Sequence, residues 1–464
     1  MRLPSVRLCG CLLLAAVVLF PGRISAADDS GDKVVSMVVE LLGDKDKDLR
    51  ALGLQQVREE AKGTAATRQF AALLPKLAPD AQAALLRALA DRGDRAARLA
   101  VLEMVKSPDV QVRAAAIAAI GPLGETADVA LLVRLLTGPA GPEKTAAGDS
   151  LARISGSDAN AAIAAAMTEA KPATRAELLG ILAARRATAT VPSMLTAAVD
   201  SDPAVRMAAM VALSQLATPD HAAEMLQGVL KADKGAEREA AERAVMMVCQ
   251  RIEDPDKQAA PVLAALARFS DADRLALLST LGHVGGPDAL KVVETAIADK
   301  DPQAHDAGLR ALSNWPDASV APRLLALTET ITDPDQRALL LRALIRVAAL
   351  KDKRSDAARL KLLKTAMTLC SSDDERLYIV KRSRAIRTVE SLRFVLPYLQ
   401  QPVFAQEACA TVLELAHHRE LREPHKAEFD PALDTVIRVA KSHAMVDEAQ
   451  HYKRGETFNT KTQE

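Results

Sequence analysis

Apolar and polar residues follow a helical rhythm along most of the chain. In DVQVRAAAIAAIGPLG from Asp109, DPAVRMAAMVALSQLA from Asp202, DPQAHDAGLRALSNWP from Asp301 and DPDQRALLLRALIRVA from Asp333, an Asp is followed four residues later by a basic side chain. Small or aliphatic residues then recur at i, i+3 and i+4. Ala116 and Ile120, Ala209 and Leu213, Gly308 and Leu312, and Leu340 and Leu344 therefore fall on one buried stripe of a helix. The opening Asp predicts an N-cap, because its carboxylate accepts hydrogen bonds from backbone N–H groups that have no partner inside the helix. Pro203, Pro302 and Pro334 fit the first helical position, where no N–H is missed. A turn such as Pro122-Leu123-Gly124 or Gly285-Gly286-Pro287 leads to a second helix, as at 130–136 and 289–297. Each unit is thus a helical hairpin.

This frame places unit starts near Asp46, Pro79, Asp109, Gly141, Lys171, Asp202, Lys234, Ser270, Asp301, Asp333, Ser372 and Pro402, which fills residues 28–430. From about Pro431 the pattern predicts one amphipathic helix over 431–453 that covers the end of the stack, followed by a polar, disordered tail over 454–464. Residues 1–27 read as a cleaved export signal. Arg2 and Arg7 precede an apolar run from Leu8 to Phe20, Pro21-Gly22 breaks it, and Ser25-Ala26-Ala27 supplies small residues for cleavage near Ala27. The expected location is periplasmic or extracellular, with no membrane span in the mature form.

Composition changes the picture in two respects. Aromatic residues make up 2% of the 464 residues and hydrophobic residues 49%, so Ala and Leu supply most of the apolar surface, which favours helices over sheets. Lys+Arg and Asp+Glu are both 60, so the whole molecule is no polycation suited to nucleic acid, and any electrostatic partner must meet a local patch. Cys249, Cys370 and Cys409 remain after the leader, an odd number without CxxC spacing, and read as structural residues.

The repeated residues resemble the HEAT repeats, and especially the short bacterial HEAT-like type first associated with phycobilisome lyases. Asp202 to Arg206 carries the DPxVR signature, and the resemblance spans most of Asp46 to Ala416. It implies an all-α fold, a right-handed superhelical solenoid of about twelve two-helix repeats. It also implies that the motif Asp and Arg brace adjacent repeats, which assigns that role to Asp109, Arg113, Asp202, Arg206, Asp333 and Arg337. Gly141, Lys171, Lys234 and Ser270 depart from the opening Asp.

Candidate chemistry is sparse. The sequence holds no HExxH, Walker-type glycine loop, GxSxG elbow or CxxCH, so no catalytic, cofactor or metal residue is assigned. Asp44, Asp46 and Asp48 alternate as in a calcium loop but lack its glycine and closing Glu, and read as a helix start. His417 and His418 diverge by about 100° on a helix, which suits an exposed helix end better than shared chelation. Trp315 reads as packing. The stretch 376–387 carries Lys381, Arg382, Arg384 and Arg387 on one expected helix, a candidate ridge for sulfate, phosphate or carboxylate groups.

The leading functional expectation is a non-catalytic protein-binding scaffold or accessory subunit in an extracytoplasmic complex. Similar solenoids occur in exported bacterial proteins beside redox or sugar-processing modules, so the resemblance implies such an enzyme as partner. The alternatives are binding of an anionic polymer through 376–387 and an enzyme-assisting role like that of the HEAT-like lyases.

Overall fold

A computed structural model of the chain describes residues 28–59 and 63–456, and among the described residues every regular element is helical: 28 α-helices and a set of short 3-10 turns. The predicted leader and residues 457–464 of the predicted tail lie outside the described residues. The chain divides after Glu169 into two compact units.

In the first unit the helices Lys47–Glu59, Pro79–Arg92, Val110–Leu123 and Pro142–Arg153 pack side by side in series, and shorter helices, including Arg98–Met104 and Val129–Leu136, lie against them. Their starts follow local chemistry. Asp109 accepts from the backbone N–H groups of Gln111 and Val112, and Pro79 and Pro142 occupy first-turn positions. In the Asp44–Asp46–Asp48 run, Asp44 accepts from the Asp46 N–H and Asp46 from the Asp48 N–H, two successive side-chain turns. Ala116 and Ile120 are buried. Pro122 does not end its helix, as the sequence pattern had implied; the helix runs on to Leu123. A proline releases the carbonyl four residues back, and here the Ala118 carbonyl accepts from Ser150 Oγ (3.3 Å), which also donates to Ile117 O (2.7 Å).

The second unit continues the same construction. Pro172–Ala184, Pro203–Leu216, Ala236–Cys249, Leu278–Val284, Pro302–Ser313, Pro334–Ala348, Asp373–Ser383 and Ala405–His417 stack in order, each followed by at least one further helix. Asp202, Asp301 and Asp333 cap their helices, and Ser372 forms a capping box with Glu375. Close approach is required at Gly282, where a Cβ would lie 2.0 Å from the Ala311 carbonyl oxygen of the next stacked helix.

The end of the chain differs from the single helix expected over 431–453. There are two helices, Lys426–Val439 and His443–Lys453. Gln406 explains the break: its Nε2 donates to Val439 O (3.1 Å) and its Oε1 accepts from Lys441 N (2.9 Å), so these groups bond sideways to the neighbouring helix instead of along their own. Both helices bury Phe429, Leu433, Val436, Ala449 and Tyr452 against the Ala405–His417 helix.

Candidate interaction surfaces

Most of the motif residues are consumed by the stack. Arg113 donates to Glu143 on the next stacked helix (Nε to Oε1, 2.6 Å) and to the Ser107 and Pro108 carbonyls just ahead of its own helix. Arg206 repeats this arrangement with more burial, reaching Glu237 through two bonds (2.7 and 3.0 Å) and the Asp200 and Ser201 carbonyls (3.0 Å each). Hydrogen bonding to Glu143 and to Glu237 raises the two guanidinium pKa values. The Glu143 carboxyl is held below its ordinary range by Arg113. Burial pushes Glu237 up, but Arg206 and the Asp233 N–H outweigh it and leave it depressed. Arg337 reaches the Leu369 carbonyl instead (2.7 Å). The division of labour is therefore finer than the motif implied. Asp109, Asp202 and Asp333 close their own helix starts, while Arg113 and Arg206 span to the next hairpin and Arg337 ties the two helices of its own.

A second series of arginines was not legible in the sequence. At the C-terminal ends of the stacked helices, Arg92 donates to Val57 O (2.7 Å), Arg251 to Ser214 O and Gln215 O (2.6 and 2.8 Å), Arg346 to Ser313 O and Trp315 O (2.9 and 2.7 Å), and Arg382 to Arg346 O (3.4 Å). Each guanidinium satisfies carbonyls that the preceding helix leaves open and sits at the negative end of its dipole. These arginines stand at no constant distance from their unit starts, so periodicity does not reveal them.

The basic stretch is dismantled by the structure as a single ridge. Its helix ends at Ser383, which is buried and bonds Val380 O, so Arg384 and Arg387 lie in the following turn. Arg384 pairs with Glu407 and donates to Lys381 O. Arg382 is tucked against Arg346 O, with its Nε buried and without a partner. Lys381 and Arg387 remain exposed.

The remaining candidates are accounted for locally. His417 Nδ1 meets Tyr452 Oη (2.8 Å), which donates to Glu448 (2.7 Å), whereas His418 Nε2 faces Glu414 at 3.7 Å. Burial and Arg387 pull the His418 pKa down. Trp315 is buried and donates to Ser319 Oγ (3.1 Å). Burial pushes the Cys249 thiol up to about 12 and Cys370 and Cys409 up to about 11.

One outward face stands apart. The exposed side of Pro203–Leu216 presents Ala204, Met207, Val211 and Gln215, and carries no charge. Met207 is 46% exposed and Val211 51% exposed. They wall a groove of about 460 Å³ against Gly180, Ala183 and Ala184 of the preceding stacked helix. Among the described residues no helix is long and apolar enough to cross a membrane.

Residues 68–152 and 159–246 match the family described as HEAT repeats. No curated protein matches the sequence. Among solved structures, Kap121p is similar at 12% identity over 92% of this chain and 53% of that chain, with a TM-score of 0.47. A Kap121p structure bound to Nup53p is similar at 11% identity over 89% of this chain and 54% of that chain, with a TM-score of 0.47. Importin beta is similar at 12% identity over 90% and 68%, with a TM-score of 0.39. The chain spans about half the length of the Kap121p structures.

Proposed function

We propose, from the premise that this chain is a HEAT-repeat protein built as an all-α solenoid, that it is a non-catalytic protein-binding scaffold or accessory subunit of an extracytoplasmic complex. The observation that carries the reading is the uncharged face around Met207 and Val211. Exposed, contiguous apolar surface rimmed by polar residues is characteristic of protein–protein contact, and methionine adapts its shape to a partner. The motif Arg residues and their partner carboxylates are spent on stacking, which leaves the outward side chains of successive hairpins free to differ and to select a partner. Export with cleavage near Ala27, and a redox or sugar-processing enzyme as partner, belong to the same proposal.

Affinity capture tests it. The chain from Asp28 is immobilised and exposed to the exported fraction of its source cells, and retained proteins are identified by mass spectrometry. The reading expects one protein or complex to be retained at moderate salt and released by Met207→Asp/Val211→Asp, with the variant's helical circular dichroism unchanged. Failure to retain any protein, or retention indifferent to this double substitution and to any other surface change, contradicts it.

A further inference from the structure

The turns that join first to second helices in the last three hairpins form one edge of the second unit. Arg359 ties two of them together by donating from the same Nη2 to Ala349 O of its own turn and to Ala385 O of the next (3.2 Å). The third turn follows directly, since the helices that lead into the second and third turns, Asp373–Ser383 and Ala405–His417, pack side by side. The sign of charge changes along this edge. The turn at 250–259 carries Glu253, Asp254 and Asp256 against Arg251 and Lys257, and the turn at 314–320 carries Asp317. Of the last three turns, 349–355 carries Lys351, Lys353 and Arg354 against Asp352 and 384–388 carries Arg384 and Arg387, while 418–425 balances Arg419 and Arg422 against Glu420 and Glu423.

Internal pairing consumes part of that charge: Arg354 holds Asp352 (2.8 Å), Arg359 holds Asp356 (2.6 Å), and Arg422 holds Glu423 (3.1 Å). Lys351, Lys353, Arg387 and Arg419 are exposed and make no ion pair among the described residues, while Glu420 interrupts them as an exposed acid. We infer that this edge docks an extended acidic segment of a protein partner, with Lys351, Arg387 and Arg419 each meeting one carboxylate. The inference rests on the scaffold reading and names a docking surface separate from the Met207 face.

Spacing selects the partner. Packed helices lie about 8–10 Å apart, so consecutive turns repeat at about that distance, and an extended chain advances about 3.3 Å per residue. An Asp or Glu at every third position therefore meets one turn after another. A densely charged polyphosphate or sulfated polymer would press its intervening charges against Glu420, Glu423 and Asp352, which a sparsely acidic peptide avoids. No exposed aromatic or large aliphatic side chain in these turns offers insertion into a lipid surface.

Fluorescence anisotropy with the full chain tests the inference, using a labelled extended peptide with Glu at every third residue in a Pro/Ser background and an isomer with the same Glu residues clustered. The spaced peptide is expected to bind more tightly than the clustered one and to weaken between about 20 and about 150 mM salt. The charge reversal Lys351→Glu/Arg387→Glu/Arg419→Glu is expected to weaken it on the order of tenfold, with unchanged circular dichroism, whereas Arg68→Glu/Arg134→Glu/Arg268→Glu leaves it unaltered. Equal loss in both triple variants overturns the inference, as does tighter binding of the clustered peptide, polyphosphate or anionic vesicles. If the edge variant keeps both the spaced peptide and the protein retained by affinity capture, the edge is excluded and the scaffold reading stands.

Discussion

Arg206 shows how one side chain joins two hairpins. It is 4% exposed, and its partner Glu237 has a side chain 10% exposed, so removing the guanidinium strands a buried carboxylate along with two open carbonyls. Arg206→Ala is expected to cost about 3 kcal/mol, the scale of breaking a buried pair by deleting one partner, read as a shift in urea midpoint. Arg113→Ala, whose pair is more open to water, is expected to cost clearly less; equal losses would show that burial does not set the worth of these contacts. The motif made the position of these arginines legible, because the Asp and the Arg sit at fixed offsets in each unit. Their partners were not, since Glu143 and Glu237 belong to the following unit and Arg337 uses a carbonyl. The basic stretch misled for a related reason. Periodicity describes a helix only while the helix lasts, and Ser383 ends it before Arg384 and Arg387.

Between elements, the limit is set by how closely backbones approach. At Gly282 any side chain would strike the Ala311 carbonyl, whereas a Cβ at Gly180 meets nothing within 4 Å on an exposed helical face. Gly282→Ala is therefore expected to destabilise by about 1–3 kcal/mol through forced separation of the helices. Gly180→Ala is expected to stabilise by about 0.5–1 kcal/mol through helix propensity alone. Thermal unfolding of the two variants checks the opposite signs. The helical hairpins and their capped starts follow from local chemistry and so could be read in advance. The break at Ala440–Ser442 could not, because it depends on Gln406, distant in sequence, offering Val439 and Lys441 alternative partners.

Across the whole molecule, ionisable groups at the junctions tie stability to pH. Arg113 lowers Glu143, and Arg310 lowers Asp306. Glu375, raised by burial, is brought below its ordinary range by the Ser371 and Ser372 N–H groups, and Arg393 lowers Glu428. A carboxyl whose pKa is lower in the folded than in the unfolded chain stabilises fully above its unfolded value, about 4, and this contribution disappears as pH falls through the folded value. The urea midpoint is thus expected to slip slightly from about pH 7 to 5, where His418, depressed in the fold, takes up its proton more readily in the unfolded chain, and to drop more steeply below about pH 4; a midpoint that rises on acidification would contradict these assignments.

The central claim, that the chain binds through a surface assembled from successive hairpins, is tested most directly by amide hydrogen exchange with and without the captured partner. Slowed exchange in the exposed turns or outward helix faces of at least two consecutive hairpins is predicted, with buried core amides unchanged. Protection confined to a single hairpin, or none anywhere on the chain, would contradict it.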